Sequence, residues 1–405
     1  MIRTILFLLL FSNLVFADAR QIDDFQWEGV ERIVAIGDLH GDYENYLATL
    51  RLAGLIDKRN KWSGGKTHLV QTGDIPDRGP DTLKIIEHIT KLEKQAKRKG
   101  GRVHILIGNH EAMNVYGDLR YVHEGEFAAF QTRNSATLRD HAFEVSMKNF
   151  EARDPQAFAE LPENYRDEWN LQHPLGWIEH RQAWDPAWNP EGKYANFVLD
   201  NKVAVRVNDN LFLHGGISGF YCQNSLDSMT EKVHSKLRQF DPQNPGIVED
   251  NFGPLWYRGL SGVSPHAAVE TVDAILDRHD VSRIVVGHTP TSGVIWPRYD
   301  AKVVVIDTGI ADAYGGHIAY LEILPDGLNA GYPLGKLSLP SSDDESMAYL
   351  EKVIAMAPNN PYLQERLERL RHPVEPAATE APAAENGAVP DLQMEKPVPI
   401  CGISE

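Results

Sequence analysis

Four apolar residues, Ile33 to Ile36, run without a break into Gly37-Asp38-Leu39-His40-Gly41-Asp42. A short apolar run that ends in glycine and acid predicts a buried strand and its exit loop. In extended backbone, side chains two apart face the same way, so Asp38 and His40 converge on one point. A carboxylate and an imidazole aimed together from a strand end suit a divalent-ion site better than a packing contact. One Asp-x-His arises easily by chance. Its weight comes from recurrence further along the chain.

Thr67-His-Leu-Val-Gln71 reads as a second strand and leads into Gly73-Asp74-Ile-Pro-Asp77-Arg78-Gly79. Val103 to Ile107 reads as a third and delivers Gly108-Asn109-His110-Glu111. Between these strands, Asp42 is placed to cap a helix striped by Tyr46, Leu47, Leu50 and Ala53 and stopped by Gly54. Pro80 is placed to open another, carrying Leu83, Ile86, Ile89 and Leu92. The basic run at its end, Lys94 to Lys99, complements the carbonyl end of the helix dipole and needs no nucleic acid to explain it. Strand, loop and helix in alternation predict an α/β protein whose reactive residues lie at the carboxyl ends of its strands.

The rhythm breaks from about residue 113 to residue 196, a mostly polar, helix-permissive stretch with Trp169, Trp177, Trp184 and Trp188 late in it. An insertion with its own small core would look like this. So would a helical cap whose walls select substrates, which is the expectation taken here because insertions at strand ends commonly carry specificity. Strands then return at 203–207 and 211–213, the latter running into His214-Gly215-Gly216. Ser264-Pro265 is expected to open a helix, Arg283 to Val286 leads to Gly287-His288-Thr289-Pro290, and Val303 to Ile306 enters Asp307-Thr-Gly309. His317 to Ile323 looks like a closing strand, followed by a helical extension over 331–371. The Pro, Ala and Glu content of 372–405 predicts a disordered tail.

Collected, the strand-end residues are Asp38, His40, Asp74, Asn109, His214 and His288. Oxygen and nitrogen donors without sulfur suit two first-row divalent ions, which a shared carboxylate holds about 3.5–4 Å apart in two-metal hydrolases. Any one of these histidines alone could be a satisfied core residue; the same residue types at the end of five strands are hard to assign to packing.

Taken in order, Gly37-Asp-x-His-Gly41, Gly73-Asp-x-x-Asp-Arg-Gly79, Gly108-Asn-His-Glu111, His214-Gly-Gly216 and Gly287-His288 resemble the signature of the calcineurin-like metallophosphoesterases, and within them the phosphoprotein phosphatase group. The resemblance implies a four-layer fold, a central β-sandwich flanked by helices, over residues 28–330 with the cap at 113–196. It implies a pair of Mn, Fe or Zn ions: Asp38 and His40 on the first, Asp74 on both, and Asn109, His214 and His288 on the second. It makes His110 the general acid, oriented by Asp77, with Arg78 holding phosphate oxygens and Asn109 beside them. Such ions lower the pKa of a shared water, so that hydroxide attacks phosphorus in line. Arg258, in Leu255-Trp-Tyr-Arg-Gly259, is a candidate second phosphate clamp or a structural arginine beside two aromatics; Glu111 is expected to support a ligand histidine.

The departures narrow the resemblance. Ile107 stands where eukaryotic members have arginine, the late Ser-Ala-Pro-Asn-Tyr block is absent, and Asp307-Thr-Gly309 stands in its region. Gly-Asn-His-Glu-Ala-Met-Asn, Trp-Tyr-Arg and Gly-His-Thr-Pro look more like the Shewanella-like phosphatases. The expected substrate is therefore a phosphorylated protein, on tyrosine or on serine and threonine, or a small phosphoester. A dinucleoside polyphosphate hydrolase is the second enzyme reading, and an inactive phosphate-binding scaffold a third.

With 405 residues and a formal net charge of −17, the chain has no electrostatic basis for gripping nucleic acid or anionic lipid. Residues 1–19 join a basic start, an apolar run and a small-residue site, the pattern of a secretory signal peptide, so export to a periplasm or medium without lasting membrane insertion is expected. Cys222 and Cys401 are the only cysteines; they could form one disulfide but no cysteine-based metal site.

Overall fold

The computed structural model describes residues 19–264, 266–372 and 399–401. The leader pattern at 1–18 and most of the predicted tail lie outside them. Among the described residues no helix is long and apolar enough to cross a membrane.

Ile33–Ile36 is a strand whose four side chains are all fully buried. They divide by parity: Ile33 and Ala35 join the apolar cluster shared with a second sheet, while Val34 and Ile36 join the one formed with the helices outside. A strand buried on both faces must read as an unbroken apolar run, and burial of each Ile or Val is worth about 1.5–3 kcal/mol. Ile33–Ile36 pairs in parallel with His68–Gln71, which pairs in parallel with Arg102–Ile105. On its other side it meets Tyr320–Leu324 antiparallel, and Gly327–Tyr332 and Gly335–Ser338 complete a six-stranded sheet.

The other sheet has seven strands in the order Arg20–Asp23, Gln26–Glu28, Ala204–Val207, Asn210–Leu213, Arg283–Val286, Val303–Val305, Trp296–Arg298. Helices Tyr43–Leu52 and Thr82–Lys97 cover the outside of the first sheet with Leu47, Leu50, Ile85, Ile86 and Ile89; Leu226–Arg238 and Val269–His279 contribute Met229, Val272 and Ile275 to the core around the second. The architecture is thus two sheets flanked by helices. Three parallel strands of each sheet run toward one common end, and the loops that leave them there meet.

Several expected boundaries shift, each for a visible reason. The second helix begins at Thr82 instead of Pro80, because the Asp81 amide donates back to the Gly41 carbonyl and holds Pro80 in the loop. The helix expected from Ser264-Pro265 begins at Val269, after the Ala267 amide has bonded Gly259; Pro265 lies outside the described residues. Tyr320–Leu324 does not close the chain: two more strands follow, so the terminal helical part is Ser346–Met356 and Pro361–Arg371 instead of all of 331–371. The helix Asn109–Tyr116 runs past residue 113, so the break in rhythm comes at Gly117, which caps it at φ 90°. Helices fill the stretch to Lys193–Asp200, the longest being Ser135–Arg153 with 19 residues. Cys222 and Cys401 form a disulfide with Cα atoms 5.9 Å apart.

Candidate metal centre

Asp38, His40, Asp74, Asn109, His110, His214 and His288 are each 6% exposed or less and occupy one pocket at the shared end of the sheets. His214 Nε2 lies 2.9 Å from Asn109 Oδ1, 3.1 Å from His288 Nδ1 and 3.3 Å from Asp74 Oδ2. Donors bound to one ion at about 2.1 Å sit roughly 3.0–3.5 Å from one another in tetrahedral or octahedral geometry, so this quartet has the spacing of a single coordination shell. His40 Nε2 lies 3.9 Å from both Asp38 Oδ2 and Asp74 Oδ2, a looser second group. Asp74 belongs to both. The donor set fits divalent ions, with Asp74 common to both groups.

Electrostatics favour the same loading. Burial, with Asp307 and Asp74 nearby, pushes the Asp38 carboxyl well above the usual carboxylate range, and Asp307, buried beside the same group, is raised to about 6. Burial and the neighbouring His110 bring His40 down to about 3, and burial with Arg258 and His214 holds His288 low, leaving both imidazoles neutral as ligands must be. Burial works to raise Asp74 as well, but His214, His110 and His40 outweigh it and keep it ionised. Crowded acids and neutral imidazoles are what bound cations stabilise.

The loops that present these groups are bonded to one another through the main chain. Leu39 and His40 amides donate to the Asp74 carbonyl, Gly41 to Ile75, and Gly287 to His214. The His110 amide donates to Asp74 Oδ1 at 2.9 Å and the His288 amide to Asp38 Oδ1 at 3.1 Å. Each imidazole nitrogen turned away from the site faces a backbone carbonyl: Pro76 for His40, Thr72 for His214, Trp256 for His288. Glu111 therefore supports no histidine, contrary to expectation. Its carboxylate accepts the amides of Asp74, Ile75 and Gly108 at 2.8, 2.7 and 2.8 Å and fixes the bridging loop. Burial, with Asp74 beside it, raises Glu111 to about 7.

This backbone is costly to hold. His40, Asp74, Asp77, Arg78 and His288 have φ of 41°, 58°, 74°, 64° and 65°, a region that non-glycine residues rarely enter and that costs about 1–3 kcal/mol each. The glycines between them answer a different need. A Cβ on Gly108 would lie 2.1 Å from Asp74 Oδ1, and one on Gly287 2.5 Å from Asp38 Oδ1.

Beside the donor set, His110 Nδ1 lies 2.5 Å from Asp77 Oδ2, whose other oxygen accepts from Asn114 Nδ2 at 2.9 Å. His110 Nε2 is thereby turned toward the donors, 3.8 Å from Asp74 Oδ2. Burial alone would lower His110, but Asp74 and Asp77 prevail and raise it above the ordinary imidazole value. Arg78 stands half-buried next to them. Arg258 donates through Nη1 to the His288 carbonyl and, at 3.3 Å, to Thr289 Oγ1, so part of its fork is spent on the His288 loop.

Some members of the site carry no sequence signal of the kind used above. Asn114 is legible only as the residue one turn after His110. Tyr121, from the start of the inserted stretch, and Tyr314, from a short turn after Asp307, join as rings beside His110 and His40, with centroids 5.3 and 4.8 Å away.

A sequence profile of the calcineurin-like phosphoesterases matches residues 31–292, and the chain belongs to this family. It is a metal-dependent phosphoester hydrolase. Shewanella-like protein phosphatase 2 of Arabidopsis thaliana is 31% identical over 294 residues, 71% of this chain and 73% of the relative. The crystal structure of the cold-active protein-tyrosine phosphatase of a psychrophilic Shewanella superposes with a TM-score of 0.58 at 25% identity, covering 79% of this chain and 83% of that one. By contrast, a symmetrical bis(5'-nucleosyl)-tetraphosphatase of Buchnera aphidicola matches over 76 residues, 34% identical, covering 19% of this chain and 23% of its own.

Proposed function

We propose that this chain is a protein phosphatase that removes phosphoryl groups from protein side chains, phosphotyrosine among them, in an exported compartment. One observation carries the reading: the pair His110–Asp77 and the guanidinium of Arg78 stand directly beside a two-ion donor set, in a chain whose likeness to Shewanella-like phosphatases extends over about three-quarters of its length. Likeness to the nucleotide hydrolase stops at a fifth of the chain, which favours phosphoprotein over dinucleotide.

Asp38 and His40 would hold one ion, Asn109, His214 and His288 the other, and Asp74 both; Mn, Fe or Zn suits this mixture of carboxylate, amide and imidazole. When bound, the ions supply Lewis acidity and a nucleophile at neutral pH. The chain's own groups do the rest. Arg78 binds two phosphate oxygens through its fork and sets the phosphorus in line. Asn109 and Arg258, whose Nη2 lies 3.5 Å from His288 Nδ1, add further donors. His110 keeps Nδ1–H on Asp77, which fixes the ring and stabilises its charged form, so Nε2–H is the proton delivered to the leaving oxygen. Burial of the donors and of His110 limits bulk water and strengthens each of these contacts.

Export is supported by the leader pattern and by the Cys222–Cys401 disulfide, a bond that persists in oxidising compartments. The test is a parallel assay of Mn-loaded protein on a phosphotyrosyl peptide, a phosphoseryl peptide and diadenosine tetraphosphate. Preference for a phosphopeptide is expected; preference for the dinucleotide would overturn the reading. Cell fractionation tests location, and recovery in the cytoplasm would overturn export.

A further inference from the structure

We infer that Tyr121 is the positioning residue for the phosphate-gripping arginine. Its ring face, not a carboxylate, holds Arg78 in place. The inference rests on Arg78 being the phosphate clamp, as proposed above, and extends it to a residue outside every motif of the family pattern.

The geometry is specific. The guanidinium carbon of Arg78 lies 4.0 Å from the centroid of the Tyr121 ring, and the Arg78 amide donates to the Tyr121 carbonyl at 2.9 Å. The two residues are joined by side chain and main chain at once. Tyr314 stands on another side, 5.9 Å from the same guanidinium. Among the described residues no carboxylate pairs with Arg78, and its Nε is buried with no hydrogen-bond partner. Neighbouring Arg120 is the contrast: it lies 5.7 Å from the same ring, yet its Nε and Nη2 are spent on Asp118. Of two guanidinia beside one tyrosine, the one in the pocket is left without a counter-charge.

This choice of partner has a chemical consequence. A carboxylate would hold an arginine strongly, but it would occupy the same N–H donors that a phosphate needs and cancel the charge that attracts it. An aromatic face attracts the flat side of a guanidinium and leaves its edge free. Arg78 also sits at φ 64°, an unfavourable conformation that its backbone bond to Tyr121 helps to fix. Tyr121 belongs to the inserted stretch, so that insertion reaches the reaction centre through one ring. The hydroxyl plays no part in the argument; the ring face does, so phenylalanine should serve and leucine should not.

The experiment compares wild type, Tyr121→Phe and Tyr121→Leu, each loaded with Mn and checked for metal content and melting temperature. Inorganic phosphate binding is measured by calorimetry and, separately, KM and kcat for p-nitrophenyl phosphate. Tyr121→Leu should weaken phosphate binding about 10-fold and raise KM by a similar factor, while Tyr121→Phe stays within about 2-fold of wild type for both. A phosphate Kd unchanged in Tyr121→Leu overturns the inference, and a loss confined to kcat would reassign the ring to His110. Equal losses in Tyr121→Phe and Tyr121→Leu would overturn it too, since the hydroxyl would then be the working part. If Tyr121→Leu does not fold, Tyr121→Met, whose flexible side chain fills irregular gaps without a ring face, gives the same comparison. Wild-type protein that binds phosphate but hydrolyses no phosphomonoester would defeat the functional reading and leave this one standing, because the calorimetric arm needs no turnover.

Discussion

Replacing Glu111 by glutamine changes one atom of a buried side chain. The carboxylate takes three backbone amides, two on Oε2 from Asp74 and Gly108 and one on Oε1 from Ile75. A glutamine that keeps its oxygen at the Oε2 position turns an NH2 toward the Ile75 amide, so donor faces donor. The lost charge-assisted bond is worth about 1.5–3 kcal/mol and the two that remain weaken toward neutral strength. Relief from burying an ionised carboxylate offsets part of this, leaving a net loss of about 3 kcal/mol. Against a typical total of about 5–15 kcal/mol that is a large fraction. Because Asp74 stands at φ 58° under this strap, the damage should extend to ion binding. The assay is urea unfolding above pH 7, where the raised Glu111 carboxyl is ionised, beside elemental analysis: a clear drop in midpoint and a substoichiometric metal content are expected from Glu111→Gln. Unchanged stability with two ions retained would refute the strap.

Other outcomes are equally definite. His110→Asn should lower turnover about 10²–10⁴-fold while metal content holds, whereas Asp74→Ala should empty the centre; loss of metal from the first, or full occupancy in the second, would exchange their roles. His68 and His104 lie 3.0 Å apart in the first sheet, nitrogen to nitrogen, and burial holds His68 at about 4 and His104 well below the ordinary value. The unfolded chain therefore binds more protons between about pH 6.5 and 4, so stability is full above 6.5 and falls by about 3 kcal/mol from His68 alone on acidification to 4. Urea midpoints across that window should show the slope, and His68→Gln with His104→Gln should flatten it. Cys401→Ser opens a loop of sequence separation 179, for which chain entropy sets a ceiling of about 5 kcal/mol, with about 2–5 typical; an unfolding free energy unmoved by the substitution would show that the bond constrains nothing.

The sequence made the ligands legible because each follows an apolar run that had no other reading. The sandwich was less legible. Ile33–Ile36 is buried on both faces, so it lacks the alternation that would have announced a second sheet. The strands without a clear sequence signal lie at the sheet edges or next to them. Arg20–Asp23 is exposed throughout, and Trp296–Arg298 carries Pro297, which an edge tolerates because no neighbour needs its missing donor on the outer side. Gly327–Tyr332 opens on a glycine that reads as a turn. Within the site, the role of Glu111 is illegible because its partners are amides, and amides are the same at every position. Tyr121 and Tyr314 carry no sequence signal because chain folding, not spacing, brings their rings to His110 and His40.

The cross-bonded loops carry a consequence for the protein without its ions. Since neighbouring turns are stitched amide to carbonyl by bonds in which no cation takes part, loading draws little of its free energy from ordering the chain. Chelation should strip activity and leave the scaffold standing, and returning the ions should restore turnover at once, with no refolding lag.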